Sequence, residues 1–284
     1  MEQNNAQDLL DTAILRNDLD AIRYAIEAGA DVNRPDSRHV PPLHRAFRHQ
    51  DLRGAVALIG ADADIDGMDD DRCTVLWHMA REGRTDACSL LLSHGADVHA
   101  RDEDTGLTAF ETACWQGNAD VVRLLFPYDP DVIRDNDGYP HIHMACGGKD
   151  VETVRFLLEH GSRVDEVDGE DDTPLHVAVT GIDGKPASPD IARLLLEHGA
   201  DPDRCNDSGY SPLDFLLDPP NSISTREKMI EVFRELAPAS LLRTVVSRER
   251  TPLNEEIIDW YREHHPDLVM EAWCTQGSSG PGGM

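Results

Sequence analysis

Thirteen histidines and 54 acidic residues in a chain of 284 offer many ways to hold a metal or move a proton, so spacing has to decide which are used. The run Asp62-Ala63-Asp64-Ile65-Asp66-Gly67 sets oxygens at alternate positions before a glycine, the arrangement that wraps a calcium ion. A bidentate Glu should follow six residues after the glycine, but Cys73 stands there, and Asp69 occupies a place that needs an apolar residue. His141, His143 and Cys146 put three donors within six residues, a set that suits zinc or copper. Residues two apart on a helix do not face each other, which weakens that set. Neither G-x-S-x-G, a phosphate-cradling glycine loop nor H-E-x-x-H occurs. The cysteines (Cys73, Cys88, Cys114, Cys146, Cys205 and Cys274) are scattered without a C-x-x-C pair, which reads as reduced thiols rather than a zinc knuckle or a disulfide framework. The expectation is no catalytic residue, no cofactor and no metal.

Charge narrows the partners. Lys and Arg number 26 against 54 Asp and Glu, for a formal net charge of −28 and a pI near 4.6. Such a field repels nucleic-acid phosphates and anionic membrane surfaces, so neither is an expected partner. An apolar fraction of 40% is sufficient for a core. No stretch approaches the roughly 20 apolar residues that span a bilayer, and MEQNNAQDLL has neither a basic region nor an apolar one. A soluble intracellular chain, in cytoplasm or nucleus, is the default expectation. Lysine is confined to Lys149, Lys185 and Lys228, consistent with a genome rich in Arg codons.

Stepping along the chain exposes a period. Gly-Ala-Asp recurs at Gly29-Ala30-Asp31, Gly95-Ala96-Asp97 and Gly199-Ala200-Asp201, with Asp62-Ala63-Asp64 and Gly161-Ser162-Arg163 in the same register. A second landmark, Leu10, Leu43, Leu76, Phe110, Ile142, Leu175 and Leu213, is spaced 33, 33, 34, 32, 33 and 38 residues apart. Small residues follow three places later at Ala13, Ala46, Ala113, Ala145 and Ala178. Two independent landmarks with one period define a unit of about 33 residues.

The unit resembles the ankyrin repeat, whose signature is a 33-residue period carrying T-P-L-H-x-A. Thr173-Pro174-Leu175-His176-Val177-Ala178 matches throughout, Pro41-Pro42-Leu43-His44-Arg45-Ala46 nearly so, and Ser211-Pro212-Leu213 in part. Weaker copies begin at Thr74, Thr108 and Pro140. The resemblance implies an all-α solenoid of helix-turn-helix units joined by short β-turn fingers. Within it, His143 falls in the tetrapeptide's histidine slot, which implies a structural hydrogen bond to a finger rather than a metal ligand. Trp77 takes the same slot one unit earlier and is expected in the core. Cys114 and Cys146 share a slot for a small side chain, and His94, His160 and His198 sit at helix C-termini, where a histidine interacts favourably. The Asp62 run then belongs to a unit end and the next finger, not to a calcium loop.

Length alone suggests two domains; the register replaces them with one array over 1–268, of about seven units and a degenerate C-terminal cap at 240–268. The first unit lacks the tetrapeptide and opens on polar residues Glu2 to Asp8, as a solvent-facing cap would. Residues 269–284 are expected to be a disordered tail. Inserts at 181–189 and 218–226 fall between inner and outer helices.

In arrays of this kind the binding surface is formed by finger tips and by residues just after the small inner-helix positions. Here those are Arg48, His49, Arg81, Glu82, Trp115 and Gln116, with Tyr139 and Tyr210 in equivalent places near fingers. Trp, Tyr and Arg most often anchor interfaces, and Trp115 beside Tyr139 is the preferred anchor. The fingers carry six aspartates between Asp62 and Asp71 and six acids between Asp165 and Asp172, with Glu103, Asp104, Asp135 and Asp137 between them. Stacked, they form an acidic ridge that favours basic partner segments. The function expected is a non-catalytic protein-interaction scaffold or adaptor, monomeric, whose partner is a protein with a basic segment. Two alternatives stand beside it: an enzyme for a small molecule with a pocket near the inserts, and a targeting adaptor for protein degradation.

Overall fold

Each tetrapeptide starts a short helix for a local reason. At Thr173 the backbone N–H donates to His176 Nδ1 (3.0 Å) while the Thr173 hydroxyl donates to the same nitrogen at 2.9 Å, and Pro174 occupies the first turn, where its missing N–H costs nothing. Thr108 and Glu111 form a reciprocal capping box, and Thr74 Oγ1 accepts from the Trp77 N–H. The computed structural model describes residues 2–128, 139–181, 187–217, 223–248 and 251–277, and they fall into two compact units, Met1–Asp135 and Asn136–Met284.

The first unit alternates inner helices α1 (Glu2–Arg16), α3 (Pro42–Phe47), α5 (Val75–Arg81) and α7 (Ala109–Gln116) with outer helices α2 (Leu19–Glu27), α4 (Arg53–Ile59), α6 (Thr85–Ser93) and α8 (Ala119–Leu125). Inner helices pack successively on inner ones, and α2 packs on α4 and α6 on α8. The second unit repeats the plan with inner helices α9 (His141–Gly148), α11 (Pro174–Thr180) and α13 (Pro212–Leu217) and outer helices α10 (Val151–Glu159), α12 (Pro189–Glu197) and α14 (Ile223–Leu236). It closes with α15 (Pro238–Ser247), α16 (Pro252–His264) and α17 (Pro266–Gly277). An isolated β bridge joins Arg101 and Thr108.

The landmarks are the core. Leu10, Leu43, Leu76, Ile142, Leu175 and Leu213 are buried, as are Ala13, Ala46, Ala113, Ala145 and Ala178; only Phe110 is half-buried, against Phe126. Burying a Leu or Ile side chain is worth about 1.5–3 kcal/mol, and alanine at the fourth place lets adjacent inner helices approach. Cys114 and Cys146 are fully inside, as their small-residue slot requires, and Trp77 is buried.

Two expectations need correction. The N-terminal polar residues are not simply solvent-facing: Gln7 is buried, and its Oε1 accepts from the Asp31 N–H at 3.0 Å. The same service is done later by fingers, where Asn33, Asp66 and Asp165 accept from the N–H groups of Asp64, Asp97 and Asp201; Gln7 of α1 supplies it at Asp31. The ordered chain also continues past 268. Helix α17 runs to Gly277, with Val269 and Ala272 buried where it packs on α15 and α16. The expected disorder at 269–277 is thereby overturned, because the cap needs a third helix to cover its apolar face; 278–284 lie outside the described residues.

Glycines just past the helix ends differ in what surrounds them, as Gly83 after inner helix α5 and Gly95 after outer helix α6 show. Gly95 has φ +85° with open space around it, whereas at Gly83 (φ +72°) an added Cβ would lie 2.8 Å from Asn118 Oδ1. Asn118 is not free to retreat, since its Nδ2 donates to the Ala80 and Arg81 carbonyls at 2.8 and 3.1 Å. Gly95→Ala should cost about 1 kcal/mol from the left-handed backbone alone, and Gly83→Ala measurably more. Urea unfolding of the two variants checks the order; equal losses would contradict the clash at Asn118.

Candidate partner-binding surface

The fingers are built by carboxylates turned inward on their own backbone. At Asp36, Asp69, Asp168 and Asn206 a side-chain oxygen accepts from the N–H four residues on, at Val40, Cys73, Asp172 and Tyr210, and the residue's own N–H donates back to that residue's carbonyl. At Asp102 the turn is one residue longer and returns to Leu107. Histidines of the preceding inner helix then hold three of these carbonyls: His44 Nε2 donates to Cys73 (3.0 Å), His143 Nε2 to Asp172 (2.8 Å) and His176 Nε2 to Tyr210 (3.0 Å). The structural role implied for His143 is what the structure contains. Where Glu111 replaces the histidine, its carboxylate is buried and Arg101 answers it through two hydrogen bonds of 2.8 and 3.2 Å.

The acidic run at 62–67 is likewise occupied: Asp64 Oδ1 accepts from Asp66 N–H and Asp66 Oδ1 from Asp97 N–H. Burial, reinforced by the charges of Asp97 and Asp64, raises the Asp66 carboxyl above its ordinary value despite the Asp97 N–H. Charge nevertheless remains on the rim. Asp62, Asp70, Asp71, Glu103, Asp104, Glu170 and Asp171 are exposed, although Glu103 pairs with Arg72 at 2.8 Å. Asp135 and Asp137 lie outside the described residues. His94, His160 and His198 each turn Nδ1 to a carbonyl four residues back, at 2.9, 2.7 and 2.8 Å.

The expected contact residues are treated unequally by the fold. Arg48 and Glu82, at the C-caps of α3 and α5, are exposed and line one pocket of about 140 Å³ together with His44, Asp69, Val75, His78 and Met79. Arg81 is exposed and lies over the buried Trp77 ring, 5.4 Å from its centroid. His49 is committed elsewhere: its Nε2 donates to the Ile14 carbonyl at 2.8 Å, tying α3 to α1. Trp115 is half-buried and Gln116 exposed at the end of α7 in the first unit. Tyr139, half-buried in the second, sits 5.5 Å from the His143 ring. Tyr210 is exposed beside Phe215, while its carbonyl is held by His176.

Within the pocket one pairing has no counterpart in the other described units. Asp69 Oδ1 accepts from the Asp71 and Cys73 N–H groups, and Oδ2 accepts from His78 Nε2 at 2.7 Å. Sequence reasoning did not single out His78 and met Asp69 only as a residue out of place in a calcium loop; the available signal was a histidine placed one residue after the slot that Trp77 had taken. The four buried thiols are poor nucleophiles, since burial pushes Cys73 and Cys88 up to about 12 and raises Cys114 and Cys146 further. The alternative pocket near the inserts falls largely on residues 182–186 and 218–222, outside the described residues. No described helix is long and apolar enough to cross a membrane.

Comparison with known proteins agrees with this architecture. Family models described as ankyrin repeats match residues 10–59, 43–136 and 125–206. A probable 26S proteasome regulatory subunit, p28, of Saccharomyces cerevisiae is 33% identical over 150 residues, 49% of this chain and 64% of its own length. Human inversin is 32% identical over 176 residues, covering 58% of this chain but 16% of inversin. The chain thus spans less than two thirds of both relatives. The human ASB11 ankyrin repeat domain superposes with a TM-score of 0.62 at 26% identity, covering 78% of this chain and 96% of that domain.

Acid should loosen the pocket. Burial holds His44 below its ordinary value of 6.5, against the Cys73 carbonyl and the Asp69 charge, which favour the cation. An unfolded chain takes up that proton near 6.5 and the folded one resists, so the contribution of His44 is complete above 6.5 and lost as pH falls below it. For Asp69, burial alone would raise the carboxyl, but the Cys73 N–H and His78 outweigh it and hold it below 3.8; its contribution is complete above 3.8 and is lost as pH falls through the lower folded value. Urea midpoints should therefore fall between pH 6.5 and about 5 in the wild type, with a shallower slope in His44→Asn. Parallel profiles would contradict the assignment.

Proposed function

The chain belongs to the ankyrin-repeat family, and from that premise we propose that it is a non-catalytic scaffold that binds a protein partner along its inner-helix groove and acidic finger edge. Repeats of this family are in general protein–protein interaction modules. The observation that carries the reading is the pairing of Arg48 and Glu82, exposed at successive inner-helix ends and opening onto one pocket. An Arg anchor beside a partly enclosed pocket is the arrangement in which a few contacts supply most binding energy. Exposed finger acids such as Asp70, Asp71 and Asp104 favour a partner with a basic segment. Arg81, Trp115 and Gln116 extend this surface in the first unit, Tyr139 and Tyr210 offer contacts of the same kind in the second, and the protein acts as an intracellular monomer.

A second reading draws on the yeast relative, which is named as a proteasome regulatory subunit: the partner belongs to the protein-degradation machinery, and the chain is an adaptor to it. Affinity capture from native cells tests both. The full chain is compared with Arg48→Glu and Trp115→Ala at two salt concentrations. Partners retained by the wild type should be lost from both variants and weakened by salt, and proteasome particles among them would favour the second reading. Capture unchanged by the substitutions would overturn the proposed surface.

A further inference from the structure

The pocket beneath Arg48 and Glu82 is lined by His44, Asp69 and His78, which carry ligand atoms beyond those spent on the finger joint. One ligand atom each from His44, Asp69 and His78 lies within 4.8 Å of the others, in a pocket of about 140 Å³ whose rim carries Glu82. Independently of the partner-binding reading, we propose that His44, Asp69 and His78 form a binding site for a divalent transition-metal cation, for which Zn²⁺ is the best match.

The donor set is two imidazoles and a carboxylate, the borderline nitrogen–oxygen combination that zinc favours. Around a tetrahedral zinc with bonds of about 2.0–2.2 Å, ligand atoms stand roughly 3.3–3.5 Å apart. Closing from 4.8 Å, and opening the Asp69–His78 pair from 2.7 Å, takes side-chain rotations of about an ångström. The ion would take the place of the proton between His78 Nε2 and Asp69 Oδ2; in a neutral ring that proton moves to Nδ1, and in an imidazolium it is released to solvent while Nδ1 keeps its own.

Each ligand is already fixed by its surroundings. Asp69 has divided its labour: Oδ1 is spent on the turn, accepting from Asp71 and Cys73, and Oδ2 is turned to the pocket side chain His78. His44 is buried, with Nε2 on the Cys73 carbonyl and Nδ1 without a partner. The orphan has a cause in the sequence. In the unit where the tetrapeptide is complete, Thr173 N–H satisfies the corresponding Nδ1 of His176, but Pro41 has no N–H to give. A backbone carbonyl on one ring nitrogen and no donor on the other is the state in which an imidazole serves as a metal ligand. Burial also keeps this ring neutral, as ligation requires. Arg48 lines the same pocket and opposes a cation; its exposed side chain can turn outward. Glu82 adds a negative charge and an oxygen on the rim, leaving the fourth position to it or to water.

Asp69→Asn separates ligation from folding, because Asn206 makes the same turn in a later unit and the amide keeps an oxygen for the backbone while losing the charge. The full chain, stripped with chelator, is titrated with Zn²⁺ against a chromophoric competitor beside Asp69→Asn, His78→Gln and, as control, the surface variant His198→Gln. One Zn²⁺ per chain should bind with Kd on the order of 1 μM or tighter, weakened roughly 100-fold in Asp69→Asn and His78→Gln and unchanged in His198→Gln. Thermal unfolding with and without Zn²⁺ should show a rise in Tm in the wild type and control only. Absence of saturable binding, or equal binding in Asp69→Asn and His78→Gln, would overturn the proposal.

Discussion

The joint on which the array depends is a shared carbonyl. At Cys73, Asp172 and Tyr210 one backbone oxygen accepts both the N–H of the residue that opens the finger turn and the Nε2–H of a histidine from the inner helix before it. A buried imidazole N–H left without that carbonyl would cost about 1–3 kcal/mol, so the inner helix is satisfied only when the finger turn is in place. No single helix pair can cover its own apolar face, and stability is shared between neighbours. The histidine joint sets the orientation in which that sharing occurs, and the rows of leucine and alanine fill the space it defines.

The same joint reassigns the charge. A chain at −28 suggests fingers bristling with free carboxylates, yet Asp36, Asp64, Asp66, Asp69, Asp102, Asp165 and Asp168 accept backbone N–H groups in or between fingers. These are structural anions, stabilised by donors that would otherwise be orphaned. What remains exposed is the smaller set at the tips, such as Asp70, Asp71, Asp104 and Glu170.

Most of the fold was legible because periodicity reports a repeated packing constraint: leucine at one register position, alanine three later, glycine or Asp62 in left-handed backbone at the helix end. The exposed residues of the proposed surface were legible only where side chains are free of the architecture. Register placed Arg48 and Glu82 correctly at helix ends, but it could not reveal that His49, one residue on, is spent on the Ile14 carbonyl. Nor could it show Asp69 meeting His78, since that contact joins a finger residue to a helix nine positions away through one particular rotamer. The buried Gln7 and the last helix were missed for a related reason. Both features occur once, and a period carries no information about what does not repeat.

Amide hydrogen exchange in His143→Ala tests the joint most directly. If the shared carbonyl couples helix to finger, the Asp168 and Asp172 amides should lose protection in the variant while Asp69 and Cys73, in the first unit, keep theirs. Unchanged exchange at 168 and 172, or an equal loss in both units, would contradict it.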